Sequence, residues 1–92
     1  MLGQRINELR TACGWSQVEL AKRLNISKQT VSNWENENIQ PSVEMLINVA
    51  TLFRVSTDYL LGLDDAPHLN VDGLPLSFVA HLSQIITDYK EK

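Results

Sequence analysis

The chain has a single cysteine, Cys13, so it cannot form an internal disulfide, and a reducing, cytoplasmic setting is expected. No apolar run approaches the roughly 20 residues that span a bilayer. The first residues, MLGQRINELR, lack the apolar core of a secretion signal. Neither membrane insertion nor export is expected. Glycines number only four and prolines three, and no Gly-rich loop that could cradle a phosphate is present. His68 and His81 are not at a ligand spacing, so no metal is expected, and nothing else calls for a cofactor. The Ser and Asp residues form no nucleophile–base–orienter pattern, so the chain is not expected to be an enzyme. Basic charge is scarce as well. Eight Lys and Arg stand against eleven Asp and Glu, for a net charge of −3.

What is present is ordinary globular composition, 43% hydrophobic and 21% charged, in 92 residues. That length fits one small domain with an appended element. The charge is unevenly spread. Residues 1–40 hold five basic and four acidic residues, whereas residues 41–92 hold three basic and seven acidic ones. The acid lies away from the stretch that carries the most information.

That stretch is Gln17 to Trp34, QVELAKRLNISKQTVSNW. Ser16 and Glu19 have the spacing of a capping box, and Trp15 stands where a hydrophobic staple would pack onto Leu20. Leu20, Ala21 and Leu24 share one helical face. Asn25 tolerates the left-handed conformation that ends helices. Ser27 is a second N-cap, and Val31 and Trp34 resume the apolar face. Two short helices around a tight turn are predicted, with small Ala21 at their close approach. Lys28, Gln29, Ser32 and Asn33 are left on the outward face of the second helix. Such a polar face is what a helix needs to read base edges in a major groove.

Around this pair the pattern is helical throughout. Leu2, Ile6, Leu9 and Cys13 form the stripe of a helix over residues 2–13, with Gly14 as its left-handed stop and Cys13 expected to be buried. After a polar loop from Asn36 to Pro41, Ser42 caps a helix to Phe53. Ser56 caps a short helix closed by Gly62, with Asp58 in its first turn. Residues 64–75 contain two Pro, one Gly and three Asp with no periodicity, and read as a linker or extended arm. From Leu76 to Lys92 the pattern is amphipathic again.

RINELR, SQVELAKRLNIS, QTVSNWEN, QPS at 40–42 and VSTDYLLG, in this order and spacing, resemble the phage-repressor-like helix-turn-helix family, the Xre group. The resemblance covers about two-thirds of the chain, residues 2–63. It implies an all-α fold, a five-helix repressor-like bundle over residues 1–63, followed here by the 64–75 linker and the amphipathic helix 76–92. It further implies a sequence-specific transcriptional regulator, a repressor, that binds double-stranded DNA as a homodimer on a palindromic operator. Carried onto this chain, Gln17 and Asn36 would hold phosphates. Lys28, Gln29 and Asn33 would meet base edges, with Ser27 and Ser32 as shorter contacts. Arg10 and Glu35 match a pair that bridges the first and third helices. One departure stands out. A Gly commonly follows the Asn of WEN, and here it is Glu37, a residue that a left-handed loop would strain.

The last helix needs a partner for its stripe. Phe78, Leu82, Ile85, Ile86 and Tyr89 approximate a coiled-coil seam and are expected to dimerise the protein. Folding back onto the bundle is the bland alternative. A competing function is an antitoxin-like or regulatory interaction module that uses residues 64–92 to bind another protein.

Overall fold

The computed structural model describes residues 2–91, and these form six helices. They are α1 (Leu2–Ala12), α2 (Gln17–Leu24), α3 (Lys28–Glu35), α4 (Val43–Phe53), α5 (Thr57–Leu60) and α6 (Leu76–Lys90). Met1 and Lys92, the outer ends of the expected units 1–63 and 76–92, lie outside the described residues. The fold is all-α, with α1–α5 as the bundle and α6 beyond it.

Local chemistry sets where the helices begin. The hydroxyls of Ser16, Ser27, Ser42 and Ser56 each accept the backbone N–H three residues on, at 3.1, 3.1, 3.2 and 3.0 Å. Each cap contributes about 1 kcal/mol relative to Ala. The capping box at Ser16 is only half formed. Glu19 lies 3.9 Å from Arg23 instead of returning to the Ser16 N–H.

Local chemistry also sets where they end. All five bundle helices close with the two hydrogen bonds of a Schellman motif, around a left-handed residue. Those residues are Gly14, Asn25, Glu37, Arg54 and Gly62, with φ of 75°, 58°, 61°, 57° and 80°. Gly and Asn take this conformation readily. Glu37 and Arg54 do not, and at each the side chain makes a distant bond. Cys13 is exposed, contrary to the expectation from its stripe, because α1 stops at Ala12 and Cys13 falls in the closing turn.

The stripes meet in one core. Ile6, Leu20, Val31, Val49 and Leu60 are fully buried, joined by Leu2, Ala21, Trp34, Ala50 and Phe53. Each large side chain contributes about 1.5–3 kcal/mol on burial. Trp34, 4% exposed, is core. Trp15 stacks its ring on Phe53, with centroids 5.5 Å apart, and the Arg23 guanidinium covers it at 4.1 Å. This fastens the turn between α1 and α2 to α4.

Residues 64–75 are irregular, and they are tied down. The Asn70 N–H donates to the Arg54 carbonyl at 2.8 Å, and Arg54 Nη1 donates to the Asn70 carbonyl at 3.1 Å. Asp64 and Asn70 accept the N–H two residues on, as Asx turns do. Leu69 and Val71 then line a groove of about 330 Å³ with Val79, Leu82 and Ile86 of α6. No residue of α6 is buried, and Phe78, Ile85, Ile86 and Tyr89 are 46–79% exposed. The radius of gyration is 14.5 Å, against about 12 Å for a compact chain of this length.

At Gly3, α1 comes close to the end of α3 and the chain leaving it. A Cβ there would lie 2.2 Å from the Trp34 carbonyl oxygen and 2.7 Å from Glu37 Oε1. Helix propensity alone would make Gly3→Ala stabilising by about 1 kcal/mol. The clash reverses the sign, since the backbone oxygen cannot yield without moving α1. Gly3→Ala should be destabilising by about 1–3 kcal/mol, read as a lower urea midpoint with an unchanged slope.

Candidate nucleic-acid interface

The outward face of α3 carries hydrogen bonds among its own side chains. Lys28 and Gln29 are exposed at its start, and Ser32 and Asn33 are half-buried one turn on. Gln29 Nε2 donates to Asn33 Oδ1 at 3.1 Å, and Asn36 Nδ2 donates to Ser32 Oγ at 3.3 Å. These bonds fix the amide planes and still leave Gln29 its carbonyl oxygen and a second N–H. Those two groups are the pair that a bidentate contact with adenine uses. Ser27 is occupied differently. Its oxygen caps Thr30 N and also lies 2.8 Å from the Thr30 hydroxyl. Of the expected site residues, Lys28, Gln29, Ser32 and Asn33 therefore lie together on one face. Asn36 extends that face, and Ser27 stands at its edge as a cap.

Beneath the face lies a polar anchor. Arg10 grips Glu35 bidentately, with Nε–Oε2 at 2.7 Å and Nη2–Oε1 at 3.0 Å. The two side chains are 12% and 4% exposed. Asn7 Nδ2 and Gln17 Nε2 donate to the same Oε1 at 2.8 and 3.1 Å. Arg10 Nη1 also donates to the Trp15 carbonyl at 2.7 Å. One carboxylate thus joins α1, α2 and α3. Burial pushes the Glu35 carboxyl up, but the bonds from Arg10, Asn7 and Gln17, with the charge of Arg10, outweigh it, and its pKa lies below the ordinary 4.5. Arg10 is raised by its bond to Glu35, against the effect of burial.

The pairing of Arg10 with Glu35 was expected from the resemblance, but the parts played by Asn7 and Gln17 were not. Asn7 could have been found, because it precedes Arg10 by three residues and shares its face. Gln17 was expected at a phosphate. Its amide nitrogen is partly used by Glu35, which leaves one amide proton. The backbone N–H groups of Gln17 and Val18 add two donors, since they precede the first capped amide of α2 and have no intrahelical acceptor. Glu37 follows Asn36, is exposed, and reaches across to α1. Its Oε1 accepts the N–H of Gly3, in the first turn of α1, at 2.9 Å.

The fold and this face define a helix-turn-helix domain. The helix-turn-helix family pattern matches residues 6–60, and the chain belongs to that family, in its Xre-type branch. It is 41% identical over 69 residues to the HTH-type transcriptional regulator ImmR of Bacillus subtilis, a match covering 75% of this chain and 54% of ImmR. The chain thus matches about half the length of that relative. The P22 c2 repressor, solved with a synthetic operator, superposes with a TM-score of 0.65 at 31% identity, over 70% of this chain and 97% of that one. A structure described as a SinR protein/SinI protein complex gives 0.62 at 26% identity, over 98% of this chain and 79% of that one. The domain is of the DNA-binding type found in transcriptional regulators, and these relatives are not enzymes. None of the described helices is long and apolar enough to cross a membrane.

Because the folded pKa of Glu35 is depressed, its anchor contributes fully above the unfolded value near 4.5 and is lost as pH falls through the folded value. Wild-type stability should therefore decline below about pH 4.5. Glu35→Gln should flatten that part of the profile and cost about 3 kcal/mol at neutral pH by stranding Arg10. Urea melts across pH read both effects.

Proposed function

We propose that this protein is a transcriptional repressor that binds a two-fold symmetric operator as a homodimer and acts by occupying a promoter in the cytoplasm. One observation carries the reading. A polar face on α3 is held by a buried anchor, in a chain whose last helix leaves its apolar stripe uncovered. In the complex α3 enters the major groove. Gln29, Lys28 and Asn33 select bases, and Ser32 and Ser27 make shorter contacts at the edge. Gln17, with the first N–H groups of α2, and Asn36 hold backbone phosphates and set the register. Two reading helices must lie about 34–36 Å apart to meet successive major grooves on one side of the duplex. Phe78, Leu82, Ile85, Ile86 and Tyr89 of α6 bring the second copy. With so few basic residues the phosphate contacts are few, and hydrogen bonds to bases carry much of the selectivity.

A second reading is an antitoxin-like or regulatory module that binds a protein through residues 64–92. The likeness to the SinR protein/SinI protein complex structure supports it, because that likeness extends over 98% of this chain and so takes in α6.

Selection of duplexes from a random pool tests the reading residues. Gln29→Ala should relax preference at one base position per half-site, with about 1–3 kcal/mol of discrimination lost. Gln17→Ala should weaken all sequences alike. Loss of affinity in both variants with no change in preference would sink these assignments. Light scattering at micromolar concentration tests the dimer. Wild type should have twice the chain mass. Ile85→Asp with Tyr89→Asp should be monomeric and still melt cooperatively, since both residues are exposed in the single chain. A monomeric wild type would overturn the homodimer and favour the protein-partner reading.

A further inference from the structure

Of the five left-handed helix ends, Glu37 and Arg54 are the two where the backbone asks for Gly or Asn and a long charged side chain is found instead. At both, the side chain leaves its own turn and binds a distant part of the chain. Arg54 reaches the Asn70 carbonyl, and Glu37 reaches the Gly3 N–H. A strained conformation of this kind persists where surrounding contacts hold it. Glu37 is the one beside the interface. Its N–H caps the Trp34 carbonyl, and the N–H groups of Asn38 and Ile39 close on Asn33, so the loop is folded over the end of α3.

Direction matters as much as position. A carboxylate next to Asn36 that pointed outward would face the phosphates Asn36 is read to hold. Turned toward α1, the exposed side chain sits at 2.9 Å on an N–H of the first turn of that helix. There the partial positive charge of a helix N-terminus receives it. Gly3 makes this approach possible, since a Cβ would collide with Glu37 Oε1 at 2.7 Å.

We propose that Glu37 is a positioning residue for DNA binding. By seating its carboxylate on the Gly3 amide it holds the loop beginning at Asn36 in one place and turns its own negative charge away from the duplex. This rests on the DNA-binding reading above. It assigns a phosphate-side role to a residue that touches no nucleic acid itself.

Two substitutions of the full chain separate anchoring from simple charge. Glu37→Gly takes the left-handed φ without strain and loses the anchor. Glu37→Gln keeps the oxygen acceptor and loses the charge. The probe is a labelled duplex carrying the site that wild type selects from a random pool, titrated by fluorescence anisotropy at several salt concentrations beside thermal melts. Removing a negative charge near phosphates predicts tighter binding by both variants. The anchor instead predicts that Glu37→Gly keeps the wild-type Tm and binds about tenfold more weakly. Its dependence on log salt should not become shallower, because the Asn36 contact is a neutral hydrogen bond that releases no counterion, and its base preference should be unchanged. Glu37→Gln should bind at least as well as wild type. The proposal is overturned if Glu37→Gly binds as tightly as wild type, if it weakens only in step with a lower Tm, or if Glu37→Gln weakens equally. A wild type that selects no site would overturn the DNA-binding reading itself, and this assignment with it.

Discussion

The Glu35 carboxylate takes donors from α1 and α2 while belonging to α3, and the geometry of the interface depends on it. Arg10 and Asn7 reach it from one helix and Gln17 from the next. Without it Arg10 would be left buried and unpaired, a state far more costly than the intact pair is favourable. The contact also links two parts of the interface. The helix that presents Gln29 and Asn33 and the helix start that presents Gln17 meet at the same oxygen atoms. A shift of one must move the other, so the face of α3 and the start of α2, to which base reading and phosphate anchoring are proposed to belong, share one frame.

The helix ends show a second economy. Ser caps and Schellman turns define the ends of the bundle helices by contacts within a few residues of each other. Where the closing residue is Gly14 or Gly62, it has no side chain with which to reach beyond its turn. Where it is Glu37 or Arg54, the strained residue also clasps a remote segment, the start of α1 in one case and the 64–75 segment in the other. Arg54 thereby holds the approach to α6, none of whose described residues is fully buried.

Low basic charge gives this domain a particular character. Non-specific attraction to DNA scales with the phosphates neutralised, and few Lys or Arg are available here. Under the proposed reading, hydrogen bonds rather than charge carry the recognition, and the bonds from Gln29 to Asn33 and from Asn36 to Ser32 tie the side chains of that face to one another.

Helix starts at Ser16, Ser27, Ser42 and Ser56, stops at Gly14, Asn25 and Gly62, and the core stripe through Leu20, Val31 and Val49 were all legible in the residues alone. Each depends on neighbours within one or two helical turns, where residue type and spacing suffice. The family motifs added the pairing of Arg10 with Glu35 and the face from Lys28 to Asn36. The rest depends on residues far apart in the chain. Asn7 and Glu35 are 28 residues apart, Gly3 and Glu37 are 34 apart, and Arg54 and Asn70 are 16 apart. Whether Cys13 is buried, whether Trp15 rests on Phe53, and where the charge of Glu37 points were decided by packing in three dimensions. Propensity and periodicity act along the chain, whereas a distant contact exists only once the elements have been brought together.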